Sequence, residues 1–462
     1  MSRARTGSAA LIVAWLLLTA GCRDLRAPAG DSAESQVSSA PNVVVVVLDA
    51  ARADHFGSYG YGRPTTPRAD AFAETAVRYA RVMSEASYTF LSTSSLFAGA
   101  NPAATGLGAR SGGRVPGDVE LLAEIAHDHG YATVAYSENP YVTRYFGLDQ
   151  GFDSFREAWP IDALASGQEI APDLDTEAEI ESALREAAAD ASRPFLLYLH
   201  LLRPHNPYAP PPPFAGRFGS TEADRPNGST PSLMAMDAQG PTFESDTLAK
   251  IRTLYDENLA YADALFGGLV DALDARGLRD DTIVVLTSDH GEAFGEHGRL
   301  LHATQLYDAM LHVPLLVHVP GEAAEVVSTP IQLADLGRGL RRVVEGGAPV
   351  ALTRLGEGRD PKRPLYSWTN GKTGQIAAWT PERRVILDMR SRETVAYYDL
   401  ETDPDSRSRV ALDGAGEALA AAANRQVDAW SGRAPVGAEP PAAAPLDPLK
   451  RAQLEALGYL DP

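Results

Sequence analysis

Cysteine is all but absent from this sequence, with one residue, Cys22, among 462. A lone thiol excludes any intramolecular disulfide, while 44% hydrophobic residues supply a sizeable core without one. Basic residues are scarce as well. The 41 Lys and Arg stand against 61 Asp and Glu, a formal charge of −20, which argues against the clustered basic footprint of a nucleic-acid binder. The same excess repels anions at long range, so an anionic substrate needs a local capture device such as a metal ion. There is no internal repeat. The apolar run nearest the start, residues 11–18, is too short and wrongly flanked for a permanent membrane helix.

That run explains the cysteine. Arg3 and Arg5 precede it, and the small residues Thr19-Ala20-Gly21 lead into Cys22. Residues 1–21 therefore read as a signal peptide, and the small residues before Cys22 resemble a bacterial lipobox, although Thr19 stands where that motif usually has Leu. The expectation is a lipidated Cys22, export, and anchoring to a membrane of the bacterial cell envelope through the lipid. Ordinary secretion with a bystander cysteine is the alternative. Residues 22–41 are small and polar and read as a flexible tether.

Residues 43–48 then form an unbroken apolar, β-branched run, the pattern of a strand buried on both faces of a parallel sheet. Similar runs at 131–136, 195–199, 282–286 and 313–319 alternate with helical patterns at 66–76, 118–129, 177–189 and 245–275. The alternation predicts an α/β domain over 42–340, a mostly parallel sheet sandwiched by helices. Short runs at 365–368, 375–379, 384–387 and 394–398, parted by turn signals such as Asn370-Gly371 and Thr380-Pro381, predict a small antiparallel-sheet subdomain over 341–430. Residues 431–462 read as a Pro/Ala-rich linker and a terminal helix.

In open α/β sheets, ligands bind outside the carboxyl ends of the strands. Three sets of polar residues fall there: Asp49; Asp289 and His290 within S-D-H-G-E at 288–292; and His200 followed by Arg203-Pro204-His205. Two carboxylates and an imidazole can bind a divalent cation with positions left open. Singly each is weak, since an Asp after a strand is often a helix cap and a lone His is often packed. Their convergence on one edge is what points to a site. Arg52 is a candidate to orient Asp49 or bind an anion, with a solvated helix-start Arg as the bland reading. Asn139 is a softer substrate-binding candidate that also suits a turn before Pro140. Glu292 and His297 are candidate supports for the metal pair.

These residues lie in segments that resemble the sulfatase family of the alkaline-phosphatase superfamily. V-V-V-V-V-L-D-A-A-R-A-D-H-F-G-S-Y-G-Y-G-R-P-T-T-P at 43–67 looks like its opening, and S-D-H-G-E-A-F-G-E-H-G at 288–298 like its second metal motif. P-F-L-L-Y-L-H-L-L-R-P-H-N-P-Y at 194–208 resembles the segment with an active-site His, and L-Y-D-A-M-L-H-V-P-L-L-V at 306–317 the strand that follows the metal motif. Y-Y-D-L-E-T-D-P at 397–404 and L-E-A-L-G-Y-L at 454–460 fit its tail. The resemblance implies the superfamily's α/β fold and metal-dependent cleavage of phosphate or sulfate esters.

Two departures refine it. Ala50 stands where many sulfatases have a second Asp, so one ligand is missing. The family's C-x-P-S-R segment, whose Cys becomes formylglycine, is replaced by S-Y-T-F-L-S-T-S-S-L-F-A-G at 87–99, with Thr89 at the nucleophile position, Leu91 for Pro and Thr93 for Arg. The pattern resembles the Thr-nucleophile branch, which implies a metal held by Asp49, Thr89, Asp289 and His290, no formylglycine, and His205 or His302 as the acid for the leaving alcohol. Ser87, Ser92 and Thr93 are alternative nucleophiles. The ion (Mn, Zn, Mg or Ca) is left open. The favoured expectation is a phosphodiesterase or phosphoryl transferase acting through a covalent Thr intermediate on a small-molecule, glycan-linked or lipid-linked ester. A sulfuric-ester hydrolase lacking formylglycine and a catalytically inactive lipid-anchored binding protein are the alternatives.

Overall fold

The computed structural model describes residues 40–108, 113–157, 175–219, 227–369 and 374–433. The expected signal peptide, Cys22, the tether up to residue 39, the linker beyond 433 and the terminal helix lie outside the described residues. Among the described residues no helix is long and apolar enough to cross a membrane.

The valine run forms the centre of the main sheet. In β1 (Asn42–Leu48), Val43, Val45 and Val47 enter one apolar core, while Val44, Val46 and Leu48 enter the other. Period-two alternation with every residue apolar is what burial on both faces demands. The remaining strands are β2 (Val77–Tyr79), β3 (Ala132–Ser137), β4 (Ser154–Glu157), β5 (Phe195–Leu201), β6 (Thr282–Thr287), β7 (Leu315–His318) and β8 (Glu325–Val327). Their order is β8-β2-β7-β6-β1-β5-β3-β4. β1 is parallel to β5 and β6, and β3 to β4 and β5, so their carboxyl ends share one edge. β7 pairs antiparallel with β6 and β2.

The 313–319 run differs from its expected single strand. Pro314 has no N–H to give a ladder, and the chain changes sheets there. His312–Val313 pairs with Val82–Met83 in a second, three-stranded sheet, and only Leu315–His318 joins the main one.

Helices cover both faces. α1 (Pro67–Ala73), α4 (Thr176–Ala187) and α5 (Ser245–Ala275) bury Phe72, Ile180, Leu259 and Phe266 in the second core. α2 (Thr89–Ala98), α3 (Leu122–Asp128), α6 (Leu333–Val344) and α7 (Gly414–Ser431) bury Leu96, Ile125, Leu336 and Leu419 in the first. α2 and α6 touch so closely that a Cβ on Gly337 would lie 2.0 Å from the Leu96 carbonyl oxygen.

The C-terminal segment forms an antiparallel meander of β9 (Leu365–Trp368), β10 (Gln375–Trp379), β11 (Arg383–Asp388) and β12 (Thr394–Asp399). α6 runs across the expected boundary at residue 340. Trp368, Ile376 and Val385 join the same core as Val43 and Val45.

Candidate active site

The carboxyl ends of β1, β5 and β6 deliver Asp49, His200 and the 288–292 turn to one place. Just beyond β1, Ala50 adopts φ 58°, a left-handed conformation uncommon for a residue with a Cβ. In it, the Ala50 amide donates to Asp289 Oδ1 at 3.2 Å, and the Ala51 amide to Ser288 Oγ at 2.8 Å. The two metal-type motifs are stapled together by backbone groups.

Asp49 and Asp289 are both buried. Asp49 Oδ2 accepts from Asn139 Nδ2 and from His200 Nε2, the latter at 3.0 Å. Asp289 Oδ1 accepts from the amides of Ala50 and, at 2.9 Å, His290. The other two oxygens, Asp49 Oδ1 and Asp289 Oδ2, are buried with no hydrogen-bond partner. Orphaned carboxylate oxygens cost several kcal/mol when dry, and two such oxygens within 3.7 Å of one imidazole nitrogen are what a cation would satisfy. Burial and the Asp289 charge accordingly hold the Asp49 carboxyl above its ordinary range.

His290 completes the cluster. Its Nδ1–H donates to the Gly291 carbonyl at 2.9 Å, which fixes the tautomer and leaves the Nε2 lone pair inward. Nε2 lies 3.4 Å from Asp289 Oδ2, 3.7 Å from Asp49 Oδ1 and 3.2 Å from Thr89 Oγ1. Ligands ~2.0–2.1 Å from one small dication stand at about such separations. Ligand atoms of Asp49, His200 and Asp289 also lie within 4.8 Å of one another. The chemistry of the donor set therefore fits a divalent cation.

Thr89 is the first residue of α2 and is buried. Its approach is fixed by two peptide contacts: the Ser87 amide donates to the Trp368 carbonyl at 3.3 Å, and the Ser87 carbonyl accepts from Ala303 at 2.7 Å. Asn139 Nδ2 lies 3.3 Å from Thr89 Oγ1, so this amide bridges the hydroxyl to Asp49. Ser92, an alternative nucleophile, spends its hydroxyl on the Asp289 carbonyl, as does Ser84, each at 2.5 Å. Ser87 and Thr93 are buried beside them.

His205 and His302 stand together, ring centroids 4.7 Å apart, and His302 is 4.5 Å from His290. Burial and the neighbouring His302 push His205 down to about 4. Glu292 accepts from His302 Nδ1 at 2.9 Å and from the Tyr208 hydroxyl at 3.0 Å, and burial raises its carboxyl to about 7. His200 is carried upward by its hydrogen bond to Asp49 and that residue's charge, against burial. Arg52 is placed otherwise than the sequence suggested. Its guanidinium pairs with Asp54 at 2.7 Å and Glu296 at 2.9 Å and touches the 288–292 turn through the Glu292 carbonyl. His297 stacks on Tyr307, outside the cluster. His200 ends a strand in the sequence, but its bond to Asp49 depends on the β1–β5 register, in which Val47 pairs with His200.

The fold and this edge define a class, an alkaline-phosphatase-like α/β protein with a buried carboxylate–imidazole cluster that could hold a cation. A model of the Sulfatase family matches residues 41–344. The chain belongs to the sulfatase family. It is 28% identical to arylsulfatase K of Bos taurus over 254 residues, 46% of each chain. It is 24% identical to iduronate 2-sulfatase of Homo sapiens over 373 residues, 70% of this chain and 66% of that one. The chain thus spans about half to two thirds of the length of these curated relatives. The phosphonate monoester hydrolase of Agrobacterium radiobacter superposes with a TM-score of 0.61 at 19% identity, covering 85% of this chain and 95% of its own. That likeness is one of fold.

Proposed function

We propose that this protein cleaves or transfers phosphate esters through a covalent intermediate on Thr89, favouring diesters of small-molecule, glycan-linked or lipid-linked alcohols. The observation that carries the reading is the Thr89 hydroxyl, 3.2 Å from His290 Nε2 and beside two buried, unpartnered carboxylate oxygens. Asp49, Thr89, Asp289 and His290 would hold the dication. Bound there, it supplies acidification of the Thr89 hydroxyl, whose proton is lost to solvent, and neutralisation of phosphoryl charge.

The remaining chemistry belongs to side chains. Thr89 Oγ1 forms its bond to phosphorus as the bond to the leaving alcohol breaks, and the start of the ten-residue helix α2 favours negative charge there. Of the two candidate acids, His302 is favoured, because Glu292 on its Nδ1 orients the ring; burial lowers its pKa against the pull of Asp49 and Asp289, so the charged form is a strong acid. A water or acceptor alcohol then attacks phosphorus, returns a proton to His302 and frees Thr89. Asn139 steadies the hydroxyl.

The second reading, sulfate-ester hydrolysis, is favoured by the names of the relatives, arylsulfatase K and iduronate 2-sulfatase. Against it stands Cys22 as the only cysteine, which leaves no source for a cysteine-derived formylglycine at position 89. Turnover of aryl phosphodiesters and aryl sulfates, with and without Mn²⁺, Zn²⁺ or Ca²⁺, separates these readings from a silent binding protein. Thr89→Ala should lower phosphodiester turnover by ~10³-fold or more, and a trapped wild-type enzyme should carry a phosphoryl group on the Thr89 peptide. Full activity in Thr89→Ala removes the residue from the mechanism. Export and anchoring through a lipid on Cys22 form part of the same proposal, and Cys22→Ala should abolish fatty-acid labelling.

A further inference from the structure

Each carboxylate at the site has one oxygen already engaged and one held open. Asp49 Oδ2 accepts from His200 Nε2 at 3.0 Å and from Asn139 Nδ2, and Asp289 Oδ1 accepts from the Ala50 and His290 amides at 3.2 and 2.9 Å. An ionised carboxylate, the form that a cation requires, only accepts, so in that state His200 Nε2 carries a hydrogen and turns a proton toward Asp49 rather than a lone pair. The Tyr198 hydroxyl, 2.8 Å from Nδ1, serves the other ring nitrogen. His200 therefore stands outside the ligand set, although one of its ring nitrogens lies within 4.8 Å of ligand oxygens on both carboxylates. The atoms left facing the centre are Asp49 Oδ1, Asp289 Oδ2, His290 Nε2 and Thr89 Oγ1.

We infer that His200 and Asn139 are positioning residues that hold Asp49 to a single ligand oxygen, making the site selective for a transition dication of the zinc or manganese type over calcium. The inference rests on the reading of this cluster as a cation site and does not require turnover at Thr89. Calcium takes 6–8 oxygen ligands and often recruits carboxylates through both oxygens, whereas imidazole with few oxygens suits smaller, more polarising ions. Ala50 acts in the same direction. It brings an amide to Asp289 Oδ1 where a second carboxylate would have added oxygens.

The test uses the full chain, stripped by a chelator and reloaded. Calorimetric titration should show Mn²⁺ and Zn²⁺ binding at least ~10²-fold more tightly than Ca²⁺, and the Co²⁺ form should show the intense visible absorption of a low-coordinate ion. His200→Ala and Asn139→Ala should each narrow that preference by ~10-fold or more and weaken the Co²⁺ band. His200→Gln, which keeps an N–H for Asp49, should restore both. Wild-type protein that binds Ca²⁺ as tightly as Mn²⁺ overturns the inference. So do alanine variants with unchanged preference and spectrum. Near-ultraviolet circular dichroism reports folding of each variant, and if His200→Ala is unfolded, Asn139→Ala and His200→Gln decide by the same criteria. The expected Mn²⁺ and Zn²⁺ preference, narrowed in the alanine variants, with no turnover on any ester defeats the catalytic reading and leaves this one intact, while a Ca²⁺-selective, active enzyme does the reverse.

Discussion

Glu85 shows how much a single side chain can stake on a buried position. It is fully buried; Oε1 accepts from the Ala334 amide at 2.9 Å, at the start of α6, and Oε2 has no partner. Burial, opposed by that amide and assisted by Asp335, raises its carboxyl from 4.5 to about 8. The folded state thus binds the proton more tightly than the unfolded one. Its stabilising contribution is whole below about pH 4.5 and fades as pH rises to about 8, by roughly 1.4 kcal/mol per pH unit at most. Glu85→Gln keeps an acceptor for Ala334 and should flatten the decline in melting temperature between pH 5 and 9; an unaltered slope excludes this carboxyl as its source. At this scale the sequence is partly legible. Asp49, Asp289 and His290 stand out because they end apolar strands or sit in S-D-H-G-E. The parts of His200, Asn139 and Glu85 stay hidden, because each depends on which donor a residue far along the chain presents. Arg52 misleads for the same reason, since Asp54 and Glu296 take the guanidinium that Asp49 or an anion was expected to meet.

Among the elements, the pair α2 and α6 carries the sharpest prediction. Gly to Ala inside a helix normally gains ~1 kcal/mol. At Gly337 the new Cβ would sit 2.0 Å from the Leu96 carbonyl oxygen, so Gly337→Ala should instead lose ~1–3 kcal/mol. Turnover should fall with it, since the displaced helix carries Thr89. Thermal melting and kcat measured on one preparation check both, and a rise in melting temperature would refute the close approach. The 31-residue helix Ser245–Ala275 is legible from its apolar periodicity at both ends. α2 is not. Its run T-F-L-S-T-S-S-L-F-A holds five Ser and Thr, whose side chains compete for backbone groups, and packing against α6 and the first core overrides that tendency. The 313–319 run misleads because apolar patterning cannot see a chain change sheets at a proline.

For the molecule as a whole, net charge and the proposed cation are open to direct measurement. With −20 formal charges, the protein repels an anionic ester until close range. kcat/KM for a charged diester should therefore rise several-fold between ~10 and ~150 mM salt, as the Debye length shrinks from about 30 to 8 Å. A neutral analogue should show little change, and a flat profile for both would discount the field. Chelation should lower the melting temperature reversibly, and readdition of the ion at 100 times its Kd should restore ~2.7 kcal/mol. The α/β architecture is legible because its central strands are apolar on both faces. The tie between the meander and the segment before Thr89 is not, because it consists of peptide groups, which every sequence carries. That tie also sets an order of events in the cell. The Ser87 amide waits for the carbonyl of Trp368, 281 positions later in the chain. A nascent polypeptide that has completed all eight strands of the main sheet still lacks a fixed Thr89, so competence arrives late in synthesis, and prematurely terminated products should accumulate as harmless, inert protein.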